Sequence, residues 1–129
     1  MNALPGADPL AVSFVALLFG LLGGSFLNVV IHRLPRGESV VRPRSRCPSC
    51  GHGITALENV PVLSWLFLRG RCRACGVRIS ARYPAVELAT GGVFAAIAFV
   101  HGPRPETLAL LVFAGLLIAA AAIDFDHHI

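Results

Sequence analysis

The chain has 129 residues, 55% hydrophobic and 14% charged, with a mean hydropathy of +0.71 and a formal net charge of +4. That balance excludes an ordinary soluble domain and points to an all-α membrane protein. All eleven basic residues are arginine, and ten of them (Arg33, Arg36, Arg42, Arg44, Arg46, Arg69, Arg71, Arg73, Arg78, Arg82) lie between positions 33 and 82. The charge therefore belongs to one segment, shorter than the ~60-residue limit within which basic loops stay on the cytoplasmic side. A cytoplasmic loop is the simpler reading, and nucleic acid is not expected as a partner.

The first span is LAVSFVALLFGLLGGSFLNVVI, Leu10 to Ile31, matching the ~20 residues needed to cross a bilayer. The preceding MNALPGADP has no Lys or Arg, so it lacks the positive start of a signal peptide. Residues 1–31 are thus expected to be an outside amino terminus and a first transmembrane helix. Gly20 and Gly24 form a small-xxx-small pair that lets another helix approach closely, with Gly23 and Ser25 expected to extend the small face. Asn28, near the inner end, is expected to hydrogen-bond a neighbour or interfacial water.

Residues 32–83 are rich in Arg, Gly and Pro, and form a loop domain with too little core to fold unaided. It carries CPSC (Cys47, Cys50) and CRAC (Cys72, Cys75), with 21 residues between the pairs. Two CxxC pairs at such spacing are a strong signal for a four-thiolate tetrahedral site. Glycine follows each second cysteine (Gly51, Gly76), as in zinc knuckles. Four thiolates close the coordination shell of zinc and leave no place for water, so the metal is expected to be structural. Iron in a rubredoxin-like site is the rival, and His52 is a possible substitute ligand. Arg46, Arg71 and Arg73 flank the cysteines and would offset the charge of a tetrathiolate. Metal binding would supply the folding energy the segment lacks. The apolar piece ENVPVLSWLFLRG is expected to pack on the knuckles or the membrane surface, with Trp65 and Phe67 at headgroup level.

The second span, Pro84 to Val100, begins with a proline suited to a first helical turn and ends the 84–101 segment. Residues 102–106 form an outer turn. The third span, Thr107 to Ile123, is slightly short, so Asp124 is expected at the inner water interface, within a final segment 107–129. Ionisable groups in or near spans are functional candidates: here Glu87, Asp124 and Asp126. Asp124 is the favoured one. Asp126, His127 and His128 read as its wet continuation, and Glu87 is expected to pair with an arginine. Asp124 and Asp126, two residues apart on a helix, point about 200° away from each other and cannot form a dyad.

GSFLNVVIHRLP (Gly24–Pro35), the Cys47–Ser80 segment, RYPAVELATG (Arg82–Gly91) and AIDFDHHI (Ala122–Ile129) together resemble the amino-terminal half of the prepilin peptidases. These are multi-pass enzymes of the bacterial inner membrane that serve type IV pilus and type II secretion systems. The resemblance implies cleavage of a leader from prepilin or pseudopilin precursors at the cytoplasmic face. It also implies N-methylation of the new amino terminus from S-adenosylmethionine, for which no glycine-rich fingerprint marks a site here. Asp124 aligns with the first catalytic aspartate of an aspartic endopeptidase. The second, in a Gly-x-Gly-Asp motif, is absent from these residues, so they alone are expected to be inactive as a protease until joined by the missing carboxy-terminal half. A non-catalytic, zinc-stabilised membrane adaptor or a truncated fragment is the competing reading.

Overall fold

The computed structural model describes residues 8–40, 47, 49–55 and 59–127. Four α-helices follow one another: α1 (Pro9–Arg33), α2 (Leu63–Phe67), α3 (Arg82–His101) and α4 (Pro105–His127), with a 3-10 turn at Leu34–Arg36 after α1. No strand occurs among the described residues. Helices α1, α3 and α4 are each long and apolar enough to cross a membrane.

Each long helix starts where its chemistry permits. The Asp8 carboxylate accepts the Leu10 amide at 3.0 Å, and Pro9 opens the first turn, where its missing N–H has no intrahelical partner to lose. Pro84 lies in the first turn of α3, which begins at Arg82 rather than Pro84. Pro105 opens α4, and the Thr107 hydroxyl donates to the Gly102 carbonyl across the short turn from α3.

The antiparallel pair α1–α3 is the centre of the fold. A Cβ on Gly20 would stand 2.6 Å from the Cα of Gly91, and one on Gly24 would stand 2.7 Å from the Cα of Glu87. Real Cβ atoms do not approach so closely, so two bare backbones meet at these points. Thr90 fills the seam with 0% exposure, its hydroxyl donating to the Val86 carbonyl at 2.8 Å within its own helix. The buried stripe of α1 is Ala16, Gly20, Gly24, Asn28 and Ile31, one residue per turn. Gly23 faces open space instead, so the small face is narrower than the composition of the segment suggests. Helix α4 joins less intimately: Ala119 with Ile31 and Val86 forms a small apolar cluster, backed by Leu27, Ile118, Ala122 and Ile123.

Helix α4 does not end at Ile123. Its 23 residues span about 34 Å at ~1.5 Å per residue, beyond a ~30 Å hydrocarbon core. The extension has a cause: the Arg82 guanidinium donates to the Ala122 carbonyl at 3.0 Å and pairs with the Asp126 carboxylate. A cation beside the carboxyl end of a helix is favoured by the helix dipole, and here it adds a second donor to the Ala122 carbonyl. Asp126 is thus exposed but ion-paired, and both aspartates ride on ordered helix rather than on a solvated tail. His128 and Ile129 lie outside the described residues.

Gly20→Val should therefore push α1 off α3 and cost roughly 1–3 kcal/mol or more, as overpacking does, whereas Gly23→Ala should be nearly neutral. Thermal unfolding in detergent distinguishes the two; equal effects would contradict the close approach.

Candidate functional site

The loop between α1 and α3 builds two turns on one pattern. In the first, the Cys47 amide donates to the His52 carbonyl (2.9 Å) and the Gly51 amide to the Cys47 carbonyl (2.9 Å). In the second, the Cys72 amide donates to the Val77 carbonyl (2.8 Å) and the Gly76 amide to the Cys72 carbonyl (2.9 Å). Gly51 and Gly76 sit at φ +76° and +75°, a left-handed conformation that glycine adopts without a Cβ penalty. This explains the glycine after each CxxC.

The turns bring four sulfurs together, all within 4.8 Å of one another. Cys47 and Cys75 are 3.7 Å apart, and Cys50 and Cys72 are 3.9 Å apart. His52 supplies a backbone carbonyl to the first turn and is not part of this convergent group. Arg71 reaches the Gly76 carbonyl at 3.4 Å and bridges Arg78 across the base of the second turn. Arg46, the third flanking arginine, lies outside the described residues.

Without a cation the thiols cannot all ionise. The Cys50 amide beside Cys47 holds its thiol down at about 7, against the opposing cost of burial. At Cys75 the Val77 amide favours the thiolate, but burial and the three neighbouring sulfurs outweigh it and push the thiol up to about 12. One sulfur is thus ready to bind and another keeps its proton until a positive charge arrives, which is the chemistry of a metal-ion donor set.

The loop is fixed to the membrane helices at two points. Asn28 on α1 donates to the Tyr83 carbonyl at 3.0 Å, tying the carboxyl end of α1 to the start of α3. Glu87 on α3, 7% exposed, accepts the Val62 amide at 2.8 Å and lies against Ser25. Among the described residues no arginine pairs with Glu87, and the Val62 amide, whose N–H turns toward α3, donates to it instead. To do so Val62 takes φ +62°, a costly conformation for a β-branched residue that persists only where its surroundings dictate it.

Helix α2, begun at that point, turns Trp65 inward. Its indole N–H donates to the Ile79 carbonyl at 3.1 Å, and its ring covers Gly70. Trp65 is therefore a prop for the second knuckle. Phe67, 90% exposed, and the exposed Leu63 and Leu66 form the outer face.

Between the helix ends and the thiol loop lies a cavity of about 440 Å³. Its walls include Asn28, Arg33, Trp65, Arg78, Tyr83 and Glu87, as well as Cys47 and Cys72. Asp124 is not among its lining residues. It stands exposed at the end of α4, on the opposite side of the helix from the paired Asp126. The sequence thus marked the cysteines and both aspartates. It marked Glu87 only through its charge in an apolar span, and gave no sign of Val62.

Three membrane-length helices with a four-thiol loop folded onto one end define a membrane-embedded domain with a candidate metal centre at its edge. Residues 18–101 match the family model described as the bacterial peptidase A24 N-terminal domain, and the chain belongs to that family. It is 54% identical over 99% of its length to a prepilin leader peptidase/N-methyltransferase of Myxococcus xanthus, covering 38% of that protein. It is 46% identical over 87% of its length to one of Aeromonas hydrophila, covering 47%. With a type 4 prepilin-like proteins leader peptide-processing enzyme of Escherichia coli it shares 42% identity over 93% of its length, covering 51%. The chain thus spans between about two fifths and one half of these relatives. No solved structure matches it.

Metal affinity should fall steeply from about pH 8 to about pH 5, because protons compete for the sulfurs and Cys75 releases its own only to the cation. Titration with buffered zinc would show this; an affinity independent of pH would argue against thiolate coordination.

Proposed function

We propose that these residues form the amino-terminal part of a bifunctional bacterial membrane enzyme. It removes the leader from type IV prepilin-like precursors and methylates the amino terminus so exposed. The observation that carries this reading is the 54% identity, over nearly the whole chain, to a protein named for both activities. The exposed carboxylate of Asp124 at the loop-side end of α4 is consistent with it.

In the cleavage step, Asp124 is one of two carboxyl groups and the other comes from outside residues 1–129, which contain no Gly-x-Gly-Asp. The ionised member of such a pair takes a proton from water as the water oxygen attacks the scissile carbonyl. The protonated member gives its proton to the departing amine. The second carboxyl must approach the face of α4 turned away from Arg82, since Asp126 is held on the other side by that arginine.

The four cysteines hold zinc. Four thiolates with no open position make the ion a structural one, closing the two knuckles over the helix ends. The metal loop faces the cytoplasm, held there by its arginines. Both ends of the proteolytic reaction then lie on the leader's side of the membrane. For the second activity, S-adenosylmethionine supplies the methyl group.

In the full-length enzyme, Asp124→Asn should lower leader cleavage by about 10³-fold or more, within the range typical for loss of an acid–base group. Asp126→Asn, which loosens the Arg82 ion pair without removing a reacting group, should lower it far less. Cleavage of a prepilin substrate in proteoliposomes tests both, and undiminished turnover by Asp124→Asn would refute the assignment.

A further inference from the structure

We propose that α2 is an interfacial foot. Its Leu63–Leu66–Phe67 face lies in the headgroup layer of the bilayer that the long helices cross, on anionic phospholipid, and fastens the thiol loop to the membrane. The inference rests on the spans and the loop alone and is independent of the activity proposed above.

Depth sets the first condition. The 20 residues of α3 span about 30 Å at ~1.5 Å per residue, the thickness of a hydrocarbon core. Glu87 is five residues beyond Arg82, about 8 Å along the helix, and its carboxylate holds the Val62 amide at 2.8 Å. The start of α2 is therefore fastened just inside the edge of that core. Trp65 reaches the carbonyl of Ile79, which precedes α3, and so is fastened just outside it. Helix α2 thus lies where acyl chains give way to headgroups.

Composition sets the second. Leu63, Leu66 and Phe67 stand at i, i+3 and i+4, on one face of the helix. Ser64 is buried and Trp65 turns inward on the other. All three apolar residues are exposed, and Phe67 is the most exposed large apolar group among the described residues. At this depth acyl chains cover them, continuing the apolar surface that the spans present to the bilayer.

The backbone enforces the placement. Val62 and Arg69, which bracket α2, are the two non-glycine residues with positive φ among the described residues, at +62° and +55°. Such conformations persist only where the surroundings dictate them. The fold thus imposes the direction of the apolar face against local preference.

Charge selects the lipid. Arg69 follows α2 closely, and Arg71 and Arg73 come after it, all exposed. Arg71 is engaged with the Gly76 carbonyl, while Arg69 and Arg73 make no ion pair among the described residues. Basic groups beside an apolar face at headgroup level attract anionic phospholipids.

The test places an indole on the foot. Full-length enzyme is reconstituted in lipid nanodiscs as wild type and as Phe67→Trp, and the emission of the added indole is read as their difference. The lipids carry bromine near the headgroup or near the chain end, in neutral or in anionic bilayers. Bromine near the headgroup should remove most of the added emission, and bromine near the chain end little of it. Anionic bilayers should deepen the quenching, and Arg69→Gln with Arg73→Gln should remove most of that gain. Leu66→Trp, on the same face, repeats the test if Phe67→Trp fails to retain zinc. Added emission at the wavelength of a water-exposed indole, unquenched by either bromolipid, overturns the proposal. So does blue-shifted emission that neither bromolipid quenches, which would put another part of the protein on this face. Equal quenching in neutral and anionic bilayers, or a gain unaffected by the two arginine substitutions, overturns the assignment to anionic lipid.

Discussion

Two helix backbones touch where side chains would ordinarily keep them apart, and the rest of the structure is arranged around that contact. Because Gly20 and Gly24 lack a Cβ, α3 can lie directly on α1. The contact at Gly24 is with the Cα of Glu87, so the same approach that joins the helices presses this carboxylate into the seam. From there it reaches the Val62 amide and sets the start of α2. Helix α2 in turn places Trp65 under the second knuckle. A packing contact between two apolar spans thereby determines where the polar loop sits.

The loop repays little of this through its own core. Among the described loop residues, Cys47, Ser64, Gly70 and Cys72 are the buried ones, and apolar groups such as Leu63, Leu66 and Phe67 remain outside. What closes it is the convergence of four sulfurs and a pair of matched turns, the usual solution for a segment too small to bury enough apolar surface. The opposed behaviour of Cys47 and Cys75 expresses the same fact electrostatically. Packed thiols repel one another's charge until a cation unites them.

Legibility in the sequence followed the range of the interactions. The three spans could be read because a bilayer demands long apolar runs, and the four cysteines because a tetrahedral metal demands a fixed ligand count. The pairing of Gly20 with Gly24 was legible as spacing. Gly23 was misread as part of the same face, since only the partner helix decides which small residues are used. The apolar run ends at Ile123 while the helix continues to His127, and the group that holds its last turns, Arg82, lies far away in sequence. Glu87 was hard to read for a similar reason. An abundance of arginines suggested a salt bridge, whereas among the described residues its backbone donor is an amide exposed by a valine at positive φ, for which the sequence carries no local signal. The inward turn of Trp65 depends on its hydrogen bond to Ile79, a partner the local sequence does not mark.

The clamp between Arg82 and Asp126 has a rotational consequence. Helix α4 contributes few large side chains to the bundle, and most of its bulky residues, among them Val112, Phe113, Leu116 and Leu117, face outward. A smooth rod of this kind can turn about its own axis at little cost in packing. Arg82 holds one side of its tip by a carboxylate and a carbonyl together, and so sets the azimuth of everything on that turn. Asp124, on the far side, is aimed by a bond it does not make. Loosening the clamp would leave Asp124 at the same height along α4 but pointing along a different bearing.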